Sequence, residues 1–278
     1  MTVEGFAPAK INLTLHVTGQ RTDGYHLLDS LVVFADIGDR ITAVSADALS
    51  LRVGGAMAKG VPTDSSNLMM KAAELLQVER GAELRLDKQL PPASGIGGGS
   101  SDAAATLRVL CELWQVPLPG VAEVLPLGAD LPVCMEPGAQ RMRGIGEQLE
   151  RLPALPDCTI VLANPGVSVA TSAIFRAMEK RDNPPMPDRL PVWQSAEELA
   201  AWLSGQRNDL QGAAIMLEPL IGAVLDALSG LAPLFHAMSG SGATCYALFA
   251  DEATAEAAAA TLQAAHPDWW VRAGRLLA

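Results

Sequence analysis

Residues 91–102 read Pro-Pro-Ala-Ser-Gly-Ile-Gly-Gly-Gly-Ser-Ser-Asp, with four glycines among the five positions 95–99. Such a run lets the backbone take positive φ and approach a ligand closely. It lies between a short predicted strand, Glu83–Leu86, and a helix predicted over Ser101–Trp114. In that helix Ala103, Leu107, Leu110, Cys111 and Trp114 fall at i, i+4, i+7, i+8 and i+11, one apolar stripe. The free N–H groups and positive dipole end of the helix then point into the loop, which is the arrangement of a phosphate cradle. No lysine follows the glycines, which excludes a Walker loop. The dinucleotide fingerprint fails at its sixth position, Ser100, and Pro91-Pro92 would spoil its tight strand-to-helix turn. The plain structural alternative is a flexible turn capped by Ser101.

Elsewhere the spacing alternates between strand and helix. Pro8–Val17 places Ile11, Leu13, Leu15 and Val17 on one face and Lys10, Asn12, Thr14 and His16 on the other. That period of two predicts a strand packed on a core by one side only. Lys10 and Asn12 then share its polar face about 7 Å apart, within reach of one substrate. Further strands are predicted over Ser30–Ala35, Arg40–Val44 and Leu49–Val53, and a helix over Asn67–Val78 with Asn67 as its potential cap. Gly128–Pro132 reads as a turn into a strand, in which Asp130 could serve as a turn cap. A composition shift over Arg151–Asp157 suggests a boundary. Beyond it come a strand (Thr159–Ala163), a helix (Ser172–Met178), a loop with four prolines (Lys180–Pro191) and helices over Ala196–Leu203 and Ala214–Ala227. The segment 244–277 reads as strand, helix, strand. An α+β protein with an antiparallel sheet is expected.

The net charge is −11, which argues against nucleic acid or an anionic membrane as partner. Attraction of a polyanion must therefore be local. The start, MTVEGFAPAK, lacks the pattern of a signal peptide, and no apolar run is long enough to span a membrane, so a cytoplasmic protein is expected. Four cysteines, at 111, 134, 158 and 245, are widely spaced without a C-x-x-C pair. They suggest neither a zinc site nor a disulfide framework, and read as small buried residues.

With that loop read, the chain resembles the GHMP kinase superfamily (galactose, homoserine, mevalonate and phosphomevalonate kinases). The superfamily pattern P-x-x-x-G-L-G-x-S-S-A is matched over Pro92–Ala103, with Ile96 for the leucine and one added glycine. Pro8–Leu13, Asp23-Gly24-Tyr25-His26, Gly95–Asp102, Gly128–Pro132 and Met238–Ala243 resemble the branch whose acceptor carries a cytidine diphosphate. Secondary markers are Gly144–Glu147, Pro165–Val167 and Asn208–Leu210. The resemblance implies a two-domain fold, with a ribosomal-protein-S5-like nucleotide domain over 1–150 and a ferredoxin-like α/β sandwich over 151–278.

The resemblance also implies ATP-dependent phosphorylation, with Mg2+, of the 2-hydroxyl of a cytidine-diphosphate-linked methylerythritol in the non-mevalonate route to isoprenoid precursors. It makes Asp130 the residue that accepts or orients the proton of that hydroxyl, with Lys10 beside it. It lays the ATP phosphates on Pro92, Ser94, Gly95, Ile96, Gly97, Gly98, Gly99, Ser100 and Ser101, and borders adenine and ribose with Asn67, Leu68 and Lys88. Tyr25 and Phe175 match the rings that flank cytosine, His26 the group that reads its edge. Asn12, Ile145 and Thr171 match further acceptor contacts, and Ser239–Gly242 a buttress for the loop. No residue is implied as a metal ligand, and no obligate protein partner. His16, His236 and His266 gain no role. Two departures are the short segment between Trp114 and Gly128, and the basic Arg141-Met142-Arg143, which would meet a phosphate or only the acidic surface. The alternatives are another superfamily kinase, of the mevalonate or homoserine type, or a non-catalytic nucleotide sensor.

Overall fold

The computed structural model describes residues 1–277. In chain order it comprises β1 (Thr2–Asn12), β2 (His16–Gln20), β3 (His26–Ala46), β4 (Ser50–Gly54), α1 (Leu68–Leu75), β5 (Gly81–Asp87), α2 (Gly98–Trp114), α3 (Val121–Val124) and α4 (Leu131–Cys134). There follow β6 (Gln140–Gly144), β7 (Gln148–Arg151), β8 (Thr159–Asn164), α5 (Thr171–Ala177), α6 (Ala196–Leu203), α7 (Gln211–Leu217), α8 (Leu220–Ser229), β9 (Phe235–Met238), β10 (Cys245–Phe249), α9 (Glu252–Ala265) and β11 (Trp270–Arg275). No helix among the described residues is long and apolar enough to cross a membrane.

Packing divides the chain into two compact units that interleave along the sequence, so no single cut point separates them. The first comprises Met1–Lys10, Gly38–Pro92 and Gly97–Pro137; the second comprises Ile11–Ile37, Ala93–Ile96 and the described residues from Gly138 onward. Interleaving follows from β1 and β3, each of which contributes one part to either unit.

In the first unit, Arg40–Ala46 of β3 pairs antiparallel with β5, and β4 joins β5 in parallel. One face of this sheet is closed by α2 and α1, burying Ile41, Leu84, Met69 and Leu110. Beside them Ala103, Leu107, Val124 and Leu131 bury a second apolar cluster. In the second unit, Leu28–Val32 of β3 pairs with β6, which turns back as β7. A separate four-stranded antiparallel sheet has the order β11-β8-β10-β9. Helices α8 and α9 bury Leu225 and Leu262 against its Val161, Ala163, Cys245 and Ala247. This is the ferredoxin-like arrangement that the resemblance implied.

Several boundaries differ from those expected. The segment Pro8–Val17 is two strands, because at Leu15 the backbone turns to bond Arg207 and Asp209 instead of continuing its ladder. Its polar face is not solvated: Lys10, Asn12, Thr14 and His16 are as buried as its apolar face. The strands expected over 30–35 and 40–44 are one strand. Gly38 is not a break there but a close approach, since a Cβ at that position would stand 2.4 Å from the Ala7 carbonyl oxygen. Asp130 precedes a helical turn rather than a strand, with Pro132 in the first turn, where its missing N–H costs nothing. The helix expected over 214–227 is broken at Glu218-Pro219 into α7 and α8, as proline cannot continue the ladder of α7.

Candidate active site

The glycine loop enters α2 three residues earlier than the spacing suggested. Gly97 is the cap, in the left-handed region at φ 61°, and α2 begins at Gly98. The first-turn N–H groups of Gly98, Gly99 and Ser100 therefore have no carbonyl partner within the helix. A Cβ on residue 99 would meet nothing within 4 Å, so the backbone is open there to a ligand. Ser101 caps nothing: it is buried and its hydroxyl donates to the Pro8 carbonyl at 2.7 Å, which ties α2 to β1. That open, amide-lined and positively polarised turn fits a phosphate.

Lys10 of β1 lies along this turn. A Cβ on residue 97 would stand 3.0 Å from the Lys10 Cβ, so glycine there admits the lysine stem. The Lys10 ammonium donates to Asp130 Oδ1 at 2.8 Å. The lysine side chain is 4% exposed and the aspartate 41% exposed, so the pair joins a buried cation to a reachable carboxylate. Asp130 stands at the cap position of α4, yet its side chain makes no cap bond there. The turn alternative is thus displaced by the lysine. Asn67 does cap α1, accepting from Met69 N–H at 2.8 Å, and donates to the Pro62 carbonyl at 2.6 Å. Leu68 opens that helix, half-buried.

Lys88 is buried at 3% exposure. It donates to Asp39 Oδ2 at 2.5 Å and to Asp102 Oδ2 at 2.6 Å. Gly98 is the nearby residue: a Cβ there would stand 3.3 Å from Lys88 Nζ. The three groups carry two carboxylates against one ammonium. Asp39 Oδ1 accepts the N–H groups of Gln89 and Leu90. Asp102 Oδ1 is buried with no partner. Asp102 is therefore the carboxyl that takes the proton, and burial pushes it up to about 8, against the pull of Lys88.

That shift has a consequence for stability. The contribution of Asp102 is complete below its ordinary value of 3.8 and is lost as pH rises through about 8. Asp102→Asn, a mimic of the protonated acid, should hold its melting temperature more nearly constant than wild type from pH 5 to about 9. An identical decline in both proteins would show that Asp102 does not carry the proton.

In the second unit, Ser94 and Ile96 anchor the start of the loop. Ile96 is fully buried, worth roughly 1.5–3 kcal/mol. The Ser94 carbonyl accepts Thr244 N–H at 3.0 Å, and Ser239 Oγ donates to the Gly95 carbonyl at 3.1 Å. Asn208, so far only a sequence marker, donates to the carbonyls of Met238 and Gly240 and secures that buttress from behind. Pro92 is exposed at the head of the loop. Asn12 donates through Nδ2 to Ser30 Oγ at 2.7 Å, while its buried Oδ1 has no partner.

His26 and Phe175 stack, with ring centroids 4.4 Å apart and planes inclined by 16°. Burial, and then the charge of Arg181, lower the His26 pKa below its usual 6.5, so the stacked ring is neutral at pH 7. Its buried Nε2 has no partner. Tyr25 is 58% exposed, a ring held out into solvent. Thr171 Oγ1 shares a hydrogen bond with Ser241 Oγ at 2.9 Å. Ile145 is half-buried, and its N–H donates to Glu147 Oε2.

Sequence reading missed Asp39, and it left Arg141 between a phosphate and the surface. Arg141 meets neither: it is buried on Asp29. A charged residue at a buried strand position was the available signal in both cases, but such positions are recognised only once burial is known. All four cysteines are buried and unpaired.

The family model for the GHMP kinases N terminal domain matches residues 67–142, and that for GHMP kinases C terminal matches 190–268. A 4-diphosphocytidyl-2-C-methyl-D-erythritol kinase of Cereibacter sphaeroides is 58% identical over 275 residues, covering 98% of this chain and 99% of its own. Another, of Ruegeria pomeroyi, is 53% identical over the full length of both. A crystal structure of 4-(cytidine 5'-diphospho)-2C-methyl-D-erythritol kinase superposes with a TM-score of 0.81 at 32% identity, covering 99% of this chain and 100% of that one. A mevalonate kinase from L. major shares the fold alone, at TM-score 0.70 and 16% identity. By sequence along its whole length and by fold, the chain belongs to the GHMP kinases, among the 4-diphosphocytidyl-2-C-methyl-D-erythritol kinases.

Proposed function

We propose that this protein transfers the γ-phosphoryl group of ATP to the 2-hydroxyl of 4-diphosphocytidyl-2-C-methyl-D-erythritol, a step toward isoprenoid precursors. The observation that carries the reading is the Lys10–Asp130 pair beside an open, amide-lined helix start, in a chain 58% identical to kinases of that name. Phosphoryl transfer asks mainly for positioning and charge stabilisation. Asp130 Oδ1 is engaged by Lys10, and the exposed carboxylate accepts or orients the proton of the attacking hydroxyl. Lys10 fixes that carboxylate and counters charge on the moving phosphoryl group. The N–H groups of Gly98, Gly99 and Ser100 take the phosphates, with Asn67 and Leu68 toward adenine. The triphosphate held on that turn would bring magnesium, which would supply neutralisation of its charge.

Tyr25, His26 and Phe175 take the cytosine, helped by Asn12, Ile145 and Thr171. Lys88 acts from beneath the loop, not on the nucleotide. As regions of family sequence, which do not coincide with the interleaved packing units, we divide the chain around the matched segments into an N-terminal nucleotide-binding part, residues 1–150, and a C-terminal part, 151–278. Four buried, unpaired cysteines and the absence of a membrane-crossing helix among the described residues accord with a cytoplasmic enzyme.

The deciding experiment measures ADP release from magnesium and ATP with 4-diphosphocytidyl-2-C-methyl-D-erythritol, mevalonate and homoserine in parallel. Turnover with the cytidyl acceptor alone is expected. Turnover with another acceptor would keep the kinase and refute the cytosine site; nucleotide binding with no turnover would point to a sensor.

A further inference from the structure

Arg141 is a buried charge that the reaction as described does not use. It lies on β6 with 2% of its surface exposed. A guanidinium offers five N–H donors in a rigid planar fork, and here five acceptors meet them. Nε donates to Asp29 Oδ1 at 2.8 Å and Nη2 to Asp29 Oδ2 at 2.7 Å. Nη2 also reaches the Met186 carbonyl at 3.2 Å, and Nη1 donates to the carbonyls of Pro187 and Asp188, both at 2.9 Å. Asp29 Oδ2 accepts the Met186 N–H in return, at 2.9 Å. The network ties β3 and β6 to three consecutive residues of the proline-rich loop that leaves α5.

Upstream, the same loop is fastened by Asn183 N–H to the Val17 carbonyl at 3.0 Å, and by Arg207 to the Pro184 carbonyl. Those attachments fix the exit of α5, the helix that bears Phe175. It is seven residues long with Ile174 alone fully buried, so it has little rigidity of its own. Its start is held by the Thr171–Ser241 hydrogen bond and its end by the loop. Asp29 stands three residues after His26 on β3, and Ile145 follows Arg141 by four residues in the turn after β6. The elements that carry three of the acceptor residues therefore converge on one ion pair.

We infer that Arg141 and Asp29 are positioning residues for the acceptor's base: their buried pair straps the loop after α5 to β3 and β6, and so holds Phe175 against His26. The inference rests on the cytosine reading of Tyr25, His26 and Phe175. A lysine at 141 would keep the charge but has a single point donor group in place of the fork, so it cannot hold Asp29 and three carbonyls together. Loosening the exit of α5 leaves the stacking pair to be ordered when the ligand binds, which weakens that ligand and spares the nucleotide. A pair that served stability alone would lower the melting temperature without separating the two ligands.

The test is calorimetric titration of the intact protein with cytidine diphosphate and, separately, with ADP. Arg141→Lys should weaken cytidine diphosphate by about tenfold and ADP by less than about twofold, and trypsin should newly cut the loop at Lys180, Arg181 or Arg189. Asp29→Asn, which keeps an acceptor for the fork, carries the same expectation if the lysine variant does not fold. Tyr25→Ala marks the site directly and should abolish most cytidine diphosphate binding. Unchanged cytidine diphosphate affinity in the strap variants would overturn the inference, as would equal weakening of both ligands. Wild-type protein that binds ADP but not cytidine diphosphate would remove the cytosine site itself. Binding that survived Tyr25→Ala would do the same.

Discussion

Asp130→Asn should bind ATP with near wild-type affinity and lose about a thousandfold in turnover, within the span that a positioned general base supplies. The substitution is nearly isosteric, and the neutral amide can still accept from Lys10 across the 2.8 Å contact. It removes the negative charge that, in the proposed reaction, would draw the hydroxyl proton. Because Asp130 is part-exposed and makes no cap bond for α4, the fold should tolerate the change. The proposed phosphate contacts, the N–H groups of Gly98, Gly99 and Ser100, belong to another segment of the same unit, so ATP affinity is the internal control. Single-turnover kinetics with saturating ATP separates chemistry from binding. Turnover within a few-fold of wild type would remove Asp130 from the chemistry.

Gly95→Ala should be the most damaging single methyl in the loop. Gly95 has φ +77°, and a Cβ there would stand 2.6 Å from both N and O of Gly242 and 2.7 Å from the Ser239 carbonyl oxygen. All three are backbone atoms of the buttress, so no side chain can swing away. Left-handed strain of about 1–2 kcal/mol and overpacking of roughly 1–3 kcal/mol together put the loss near 3 kcal/mol. Gly99→Ala is the matched comparison. Its Cβ would meet nothing within 4 Å, and alanine is the better helix former. That variant should melt like wild type and yet bind ATP more weakly, because the methyl would enter the space that the proposed phosphate site needs. Thermal denaturation with ADP titration checks both, and a wild-type melting temperature for Gly95→Ala would show that the buttress yields.

The contrast between these glycines also marks how far the sequence could be read. Glycine density before a helix marked this turn as a candidate phosphate site, because the freedom of a residue without Cβ is a local property. Which glycine is open to ligand and which is wedged against backbone depends on Ser239–Gly242, far along the chain. The apolar stripe of α2 was visible in its spacing, but its start at Gly98 was not, since Gly97 in the left-handed region is the cap and no side chain announces it.

Periodicity and turn chemistry by themselves determined most strands and helices and the glycine-rich turn before α2, for these depend on neighbours a few residues apart. Motifs added the pairing of Lys10 with Asp130 as an expectation. The tertiary structure alone decided that the polar face of β1 is buried, that 30–46 is one strand, and that α7 and α8 are separate. It alone set Lys88 between Asp39 and Asp102, 49 and 14 residues away, and Arg141 on Asp29, 112 residues away. A charged residue in a strand looks the same in sequence whether it meets water or a buried counter-charge. Desolvation, which separates the two, is a property of the packed interior and has no signature in local spacing.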